Sequence, residues 1–305
     1  MRKILSILIL SFFLNFDAHS QKYSVGQQIH NEIIVSDQLK IKLQGDGWYM
    51  VRKEFYPVKD IRQKVWGFIK IENNEFIEGY DIYQGDMGAA WIGTVDLIIV
   101  EIVFKDKYDG CYERPEYFLL EVYKKGRTHN CMIVGHWDLN KEIYNPDDPR
   151  DNAVATGYRQ FIKKNSIKLP KIVLASTHSY FSRHNRSNWY QIVHFINPKL
   201  LNGPKNKFFT EESSEYHKYN ISDYPKHQKT MDEFISISSQ FHKEFESMLK
   251  AKKNHLLDID KYISENKKKN TDKEITKQLK QLGDLYKSGV LSKEEFEKAK
   301  KKILN

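Results

Sequence analysis

The sequence predicts an α+β protein: a mainly antiparallel sheet domain with one or two helices, followed by a long helix and a C-terminal αα-hairpin. Three observations carry this. Between about Glu32 and Asn197 the chain is a succession of short runs rich in Val, Ile, Tyr, Phe and Trp, separated by turn residues. From Met231 the apolar period changes to alternating steps of three and four, as on a helix. At the end, two helical stripes flank a glycine and a capping box. The 305 residues, 40% hydrophobic and 29% charged, are enough to bury a core and fall outside the composition of disordered chains.

The first element is an address. Arg2 and Lys3 precede an apolar stretch from Ile4 to Phe16, and Asp17-Ala18-His19-Ser20-Gln21 offers a small-x-small site. Residues 1–20 therefore read as a signal peptide cleaved after Ser20, and the protein is expected to be exported, periplasmic or secreted. A permanent anchor needs about 20 apolar residues, so no transmembrane segment is expected after cleavage.

Residues 21–198 read as an α+β domain of unknown function. Its expected strands cover 32–43, 48–54, 65–72, 77–83, 97–104, 117–123, 129–135, 172–180 and 189–196. Hairpin turns such as Glu72-Asn73-Asn74-Glu75 favour antiparallel pairing over alternating βα units. A helix is expected over 152–164, with Asp147 to Asp151 supplying its N-cap. The five tryptophans, Trp48, Trp66, Trp91, Trp137 and Trp189, fall mostly in strands, which points to packing rather than to a ligand groove.

Cys111 and Cys131 are the only cysteines. They exclude a zinc site of four thiolates, and an oxidising compartment favours pairing them. A turn centred on Lys124 to Arg127 places Cys131 opposite about Leu120, so Cys111 is expected from a preceding loop or strand. The spacing is not C-x-x-C, which argues for a structural bridge over a redox pair.

Histidines gather in the same domain: His129, His136, His178, His184 and His194 lie in or beside expected strands. An alternative reading takes His136, His178 and His194 as metal ligands of a periplasmic hydrolase or metal-dependent enzyme. No spacing matches a metal motif such as H-E-x-x-H, and no G-x-S-x-G elbow accompanies the hydroxyls of Ser176-Thr177-His178-Ser179. No glycine-rich phosphate loop leads from a strand into a helix. No cofactor and no catalytic residue are expected.

Residues 199–230 change to Lys, Asn, Ser, Glu and Pro and read as a linker or surface loop. Residues 231–270 then read as one amphipathic helix, with Met231, Phe234, Phe241, Phe245, Met248, Leu256, Ile259 and Ile263 on its stripe. The stripe fits a coiled-coil seam or a helix docked on its own domain, and docking is favoured. Lys267-Lys268-Lys269-Asn270 marks its expected end.

Most of the net charge of +9 belongs to the tail: Lys250 to Asn305 holds sixteen lysines, no arginine and nine acids. Without arginine, and with few aromatics among the lysines, nucleic acid is not an expected partner. An anionic envelope surface is a candidate partner, although lysines on outer helix faces ordinarily serve solubility.

Residues 271–305 are the most specific stretch. Ile275, Leu279, Leu282 and Tyr286 line a first helix, and Gly289 takes the left-handed position that ends it. Ser292 and Glu295 form a capping box, and Leu291 with Phe296 a hydrophobic staple. Phe296, Ala299, Ile303 and Leu304 face inward on the second helix. The pattern Leu279-x-x-Leu282-x-x-Leu285-Tyr286-x-x-Gly289-x-Leu291-x-x-x-Glu295-Phe296-x-x-x-Lys300 resembles the SHOCT (short C-terminal) domain of bacterial proteins. The resemblance implies a contact-making or oligomerising module, with Leu279, Leu282, Leu285, Tyr286, Leu291, Phe296 and Ile303 as its interaction face. Further upstream, the order Cys111, Cys131, a nearby histidine, a helix and Leu169-Pro170 before paired strands is similar to secreted bacterial proteins of unknown activity. Together these readings lead to an exported, non-enzymatic binding and assembly protein. Its hairpin is expected to contact a second copy or another envelope protein.

Overall fold

The computed structural model describes residues 23–36, 39–58, 61–86, 111, 117–125, 128–144, 149–182, 188–207, 210, 212–251 and 255–304. The signal segment 1–20, the strand expected at 97–104, Trp91, His184, Asp147 and Asp148 lie outside them. The chain divides into two compact units, one reaching Ile259 and the other Asp260–Asn305.

The first unit is built on two antiparallel meanders that meet edge to edge. The strands β4 (Trp48–Val58), β5 (Ile61–Glu72) and β6 (Glu75–Asp86) form one. The strands β7 (Tyr117–Lys125), β8 (Thr128–Trp137), β9 (Val173–Ser182) and β10 (Asn188–Ile196) form the other. Pairing of β6 with β10 fuses them. With β1 (Gln28–Ile29) on β4 the result is an eight-stranded antiparallel sheet, in the order β1-β4-β5-β6-β10-β9-β8-β7. Asn73 and Asn74 both hold positive φ in the two-residue β5–β6 loop, the backbone that matches the right-handed twist of a hairpin. Several strands run past their expected ends because each partner's backbone continues to pair beyond the apolar run.

A smaller sheet corrects the single strand expected over 32–43. The chain turns at Ser36, where Leu39 N–H donates to the Ser36 hydroxyl at 3.2 Å, and separates β2 (Glu32–Ile34) from β3 (Leu39–Lys42). Against β3 lies β11 (His255–Leu257), in parallel.

Helices cover both faces of the large sheet. On one face α1 (Leu139–Tyr144) and α2 (Pro149–Lys164) bury Leu139, Ile143, Tyr158, Phe161 and Ile162 against Val51, Ile69, Val173, Ala175, Val193 and Phe195. Here α2 approaches β4 so closely that a side chain at Gly157 would collide with the Val51 carbonyl. The opposite face is covered by α3 (Pro225–Ala251), whose Phe234, Phe241 and Phe245 meet His194, His178 and Tyr180. The amphipathic stripe from Met231 is therefore a docked helix, as the sequence favoured.

Two expectations for this region are corrected. The stripe is not one helix over 231–270: α3 ends at Ala251, β11 intervenes, and α4 (Ile259–Lys287) runs straight through Lys267 to Lys269. Leu256 matched the helical spacing by coincidence; in β11 it is exposed while its neighbour Leu257 is buried, the alternation of a strand. Nor is 199–230 a surface loop throughout. Ser214, Glu215, Tyr216 and His217 are buried, and local bonds satisfy their polar groups. The Asn206 side-chain carbonyl accepts from Ser214 Oγ and Glu215 N–H, and Tyr216 Oη donates to the Pro204 carbonyl at 3.1 Å.

The second unit holds the rest of α4 and α5 (Lys293–Leu304). The expected hairpin forms. Gly289 has φ +74°, and the N–H groups of Gly289 and Val290 close on the carbonyls of Tyr286 and Leu285.

Candidate functional site

The sheet face beneath α3 carries a row of buried polar groups. Register places Glu78, Tyr80, His194, Ser176, His178 and His136 on this face, because direct antiparallel partners share a side of the sheet. Ser176 Oγ lies 3.0 Å from His178 Nε2, and His178 Nδ1 lies 3.3 Å from His242 Nδ1 on α3. His194 stacks on Tyr80 and sits 3.7 Å from the Glu78 carboxylate, too long for a hydrogen bond. At the far end, Glu246 on α3 accepts from Asn130 and pairs with Lys250. A second histidine contact joins His136 to His217 edge to face.

Burial governs the charge of His178 and His242. His178 is pushed well below the ordinary imidazole range by burial first, then by His242 and His194. His242 is pulled down by burial to about 4, against the opposing attraction of Glu246. At neutral pH both rings are uncharged, so their short contact pairs one N–H with one bare nitrogen.

This geometry does not assemble the metal reading of His136, His178 and His194. His178 and His194 are diagonal neighbours on β9 and β10, but His136 pairs with Leu174, four residues along β9 from His178. A strand advances about 3.3 Å per residue, which puts His136 out of reach of a shared ion. Among the described residues no group of three or more His, Cys, Asp or Glu could hold a metal.

The opposite face holds polar groups of another kind. Arg52 is fully buried, with Nη2 donating to Glu54 at 3.4 Å and Nη1 3.7 Å from Asp81. Tyr158 Oη donates to Asp81 at 2.7 Å. Burial raises the Asp81 carboxyl above its ordinary value, against the pull of Arg52 and the Tyr158 hydroxyl. On the same face Trp189 Nε1 donates to Ser179 Oγ at 2.7 Å, and His129 Nε2 lies 3.1 Å from that oxygen. The hydroxyls around His178 are thus divided: Ser176 serves His178 on one face and Ser179 serves His129 on the other. Both serine–histidine contacts are buried.

Cys111 and Cys131 form a disulfide. Cys131 lies opposite Val122 rather than Leu120, because pairing begins at Lys125 with Thr128 and is therefore centred one residue past the expected turn.

The hairpin's caps are in place. Ser292 Oγ accepts from Glu295 N–H at 3.3 Å, and the Glu295 carboxylate accepts from Ser292 N–H at 2.9 Å. Donation to its carboxylate by the Ser292 N–H and hydroxyl holds the Glu295 carboxyl below its ordinary range. Tyr286 stacks on Phe296 with ring centroids 4.7 Å apart, and Leu282 is buried. Leu279, Leu291, Phe296 and Ile303 are half-buried, while Leu285, Tyr286, Val290 and Leu304 are exposed.

Sequence reasoning singled out His136, His178 and His194 but not Glu78, His242, Glu246 or Arg52. Helical spacing did place Phe241 and Phe245 inward, and His242 and Glu246 follow each by one residue on that face. No helix among the described residues is long and apolar enough to cross a membrane. Residues 277–304 match the family model of the Short C-terminal domain, SHOCT. No curated protein matches the chain.

Proposed function

We propose that this SHOCT-bearing chain is an exported, non-enzymatic binding and assembly protein. In this reading the sheet domain presents a surface, and the C-terminal hairpin joins it to a second copy or to another envelope protein. The observation that supports it is a hairpin whose turn and caps are complete while Leu285, Tyr286, Val290 and Leu304 stay exposed. The hairpin alone buries too little surface to be a stable end in itself, so this face gains by covering. Export rests on the pattern of residues 1–20, and the Cys111–Cys131 bridge accords with an oxidising compartment. The enclosed histidine contacts favour this reading over a hydrolase.

Light-scattering mass of the chain from Gln21, compared with a truncation ending at Ile259, tests the proposal. Assembly of the full chain alone, abolished by Leu285→Asp with Val290→Asp, is the expected result. A monomeric full chain that also captures no envelope protein would sink it. The lysines of the tail add attraction to anionic surfaces, and that binding should collapse between low and physiological salt.

A further inference from the structure

Six of the chain's eleven histidines are buried on one sheet face or in the segment that covers it. His136, His178 and His194 come from the sheet, and His217, His227 and His242 from residues 214–251. At the centre, two δ nitrogens face each other at 3.3 Å. That contact is favourable only while one ring donates and the other accepts. Protonating the accepting nitrogen sets two N–H groups head to head and places a charge in the core. We propose that the His178–His242 contact is an acid-sensitive latch, whose protonation releases α3 from the sheet and uncovers Phe234, Phe241 and Phe245.

Burial outweighs the attraction of Glu246 for a charge on His242. Around the pair stand Ser176, His194 and Tyr180 from the sheet and Met132 and Asn130 from β8, with Phe241 from α3 against His178 and Glu246 acting on His242. Glu246 is the α3 acid that acts on His242, and it is already engaged by Asn130 and Lys250. Glu78 stands beside His194 and Tyr80, on the far side of Ser176 from the latch. Nearer the start of α3, His227 packs on Tyr216 and Tyr224, and burial lowers it against the pull of Glu215.

The sign follows from linkage. An unfolded histidine takes its proton near pH 6.5, whereas His242 in the closed form takes it only at about 4. Stability from the closed contact is therefore complete above about pH 6.5 and is lost as pH falls toward 4. Each pH unit in that window costs about a factor of ten in the closed-to-open ratio for every proton taken up. Because β11 pairs with β3 just beyond α3, the helix stays tethered when it lifts.

This inference is independent of the assembly reading, and its test does not involve the tail. Hydrogen exchange on the whole chain from Gln21, at about pH 7 and about pH 4.5 with intrinsic rates corrected, reads the latch directly. The expected result is at least a tenfold greater loss of protection in α3 than in the β4–β6 meander. Parallel loss in both, or none, would overturn the proposal. His242→Gln keeps a donor and an acceptor but cannot titrate, and it should flatten the pH dependence of α3 protection. Should that variant not fold, ring NMR of the wild type decides. Coincident protonation of His178 and His242 with loss of α3 protection supports the latch. Protonation of both near pH 6.5 with α3 still protected refutes it.

Discussion

The two faces of the large sheet are each covered by one long helix, yet they treat buried polar groups in opposite ways. Under α2 the charge of Arg52 is retained, and Asp81, Glu54 and the Tyr158 hydroxyl surround it. Under α3, His178 and His242 are imidazoles kept neutral by burial and matched nitrogen to nitrogen. The first arrangement keeps its cation, because the Arg52 guanidinium stays charged at any pH at which the protein folds. The second is conditional, because it survives only while no proton arrives. Two equally buried faces can therefore differ in what breaks them.

The sharpest test of the fixed face is Arg52→Met. It leaves Asp81 buried without its counter-charge, and breaking a buried pair from one side costs about 3–5 kcal/mol. Urea denaturation near neutral pH should show the loss, and adding Asp81→Asn should recover part of it. A loss under 1 kcal/mol would mean that the cluster is not a paired charge at all. Replacing both Cys111 and Cys131 by Ala comes next, at about 3 kcal/mol, because the bridge closes a loop of sequence separation 20. Gly157→Ala should cost about 1–3 kcal/mol, because α2 must lift from the Val51 carbonyl. That cost should be equal at about pH 7 and about pH 5 if the α2 face is insensitive to protons. A penalty that grows in acid would erase the contrast between the faces.

How much of this was legible depended on sequence distance. Strands were readable where aromatic and β-branched runs met short turns, as around Asn73 and Asn74. The pairing of β6 with β10 was not, since no local signal marks a contact between residues more than a hundred apart. His178 and His194 drew notice as a cluster, but His242 lies 64 residues beyond His178 and belongs to a helix whose apolar stripe claimed attention. Arg52 was invisible for another reason. The register shift between Met50 and Arg52 turns its side chain to the face of Gly67 and Asp81, which simple alternation from Trp48 does not predict. The tail was the reverse case: Gly289, Ser292 and Glu295 act on neighbours within a few residues, so their spacing already contained their geometry.

That locality makes the smallest prediction the most selective. Ser292→Ala removes the acceptor for the Glu295 N–H and one hydroxyl contact to its carboxylate, while the apolar residues of the hairpin are untouched. Loss of an N-cap costs about 1 kcal/mol, and here it falls on a helix of only 12 residues that depends on its start. Exchange in α5 should therefore rise about fivefold, the factor that 1 kcal/mol represents. Protection in the β4–β6 meander and in α3 should not change, because residues beyond Asp260 form a separate compact unit. Equal loosening of the sheet would show that the two units share one cooperative transition. In that event the hairpin would be part of the domain's own stability, and its exposed leucines would lose their claim to a partner.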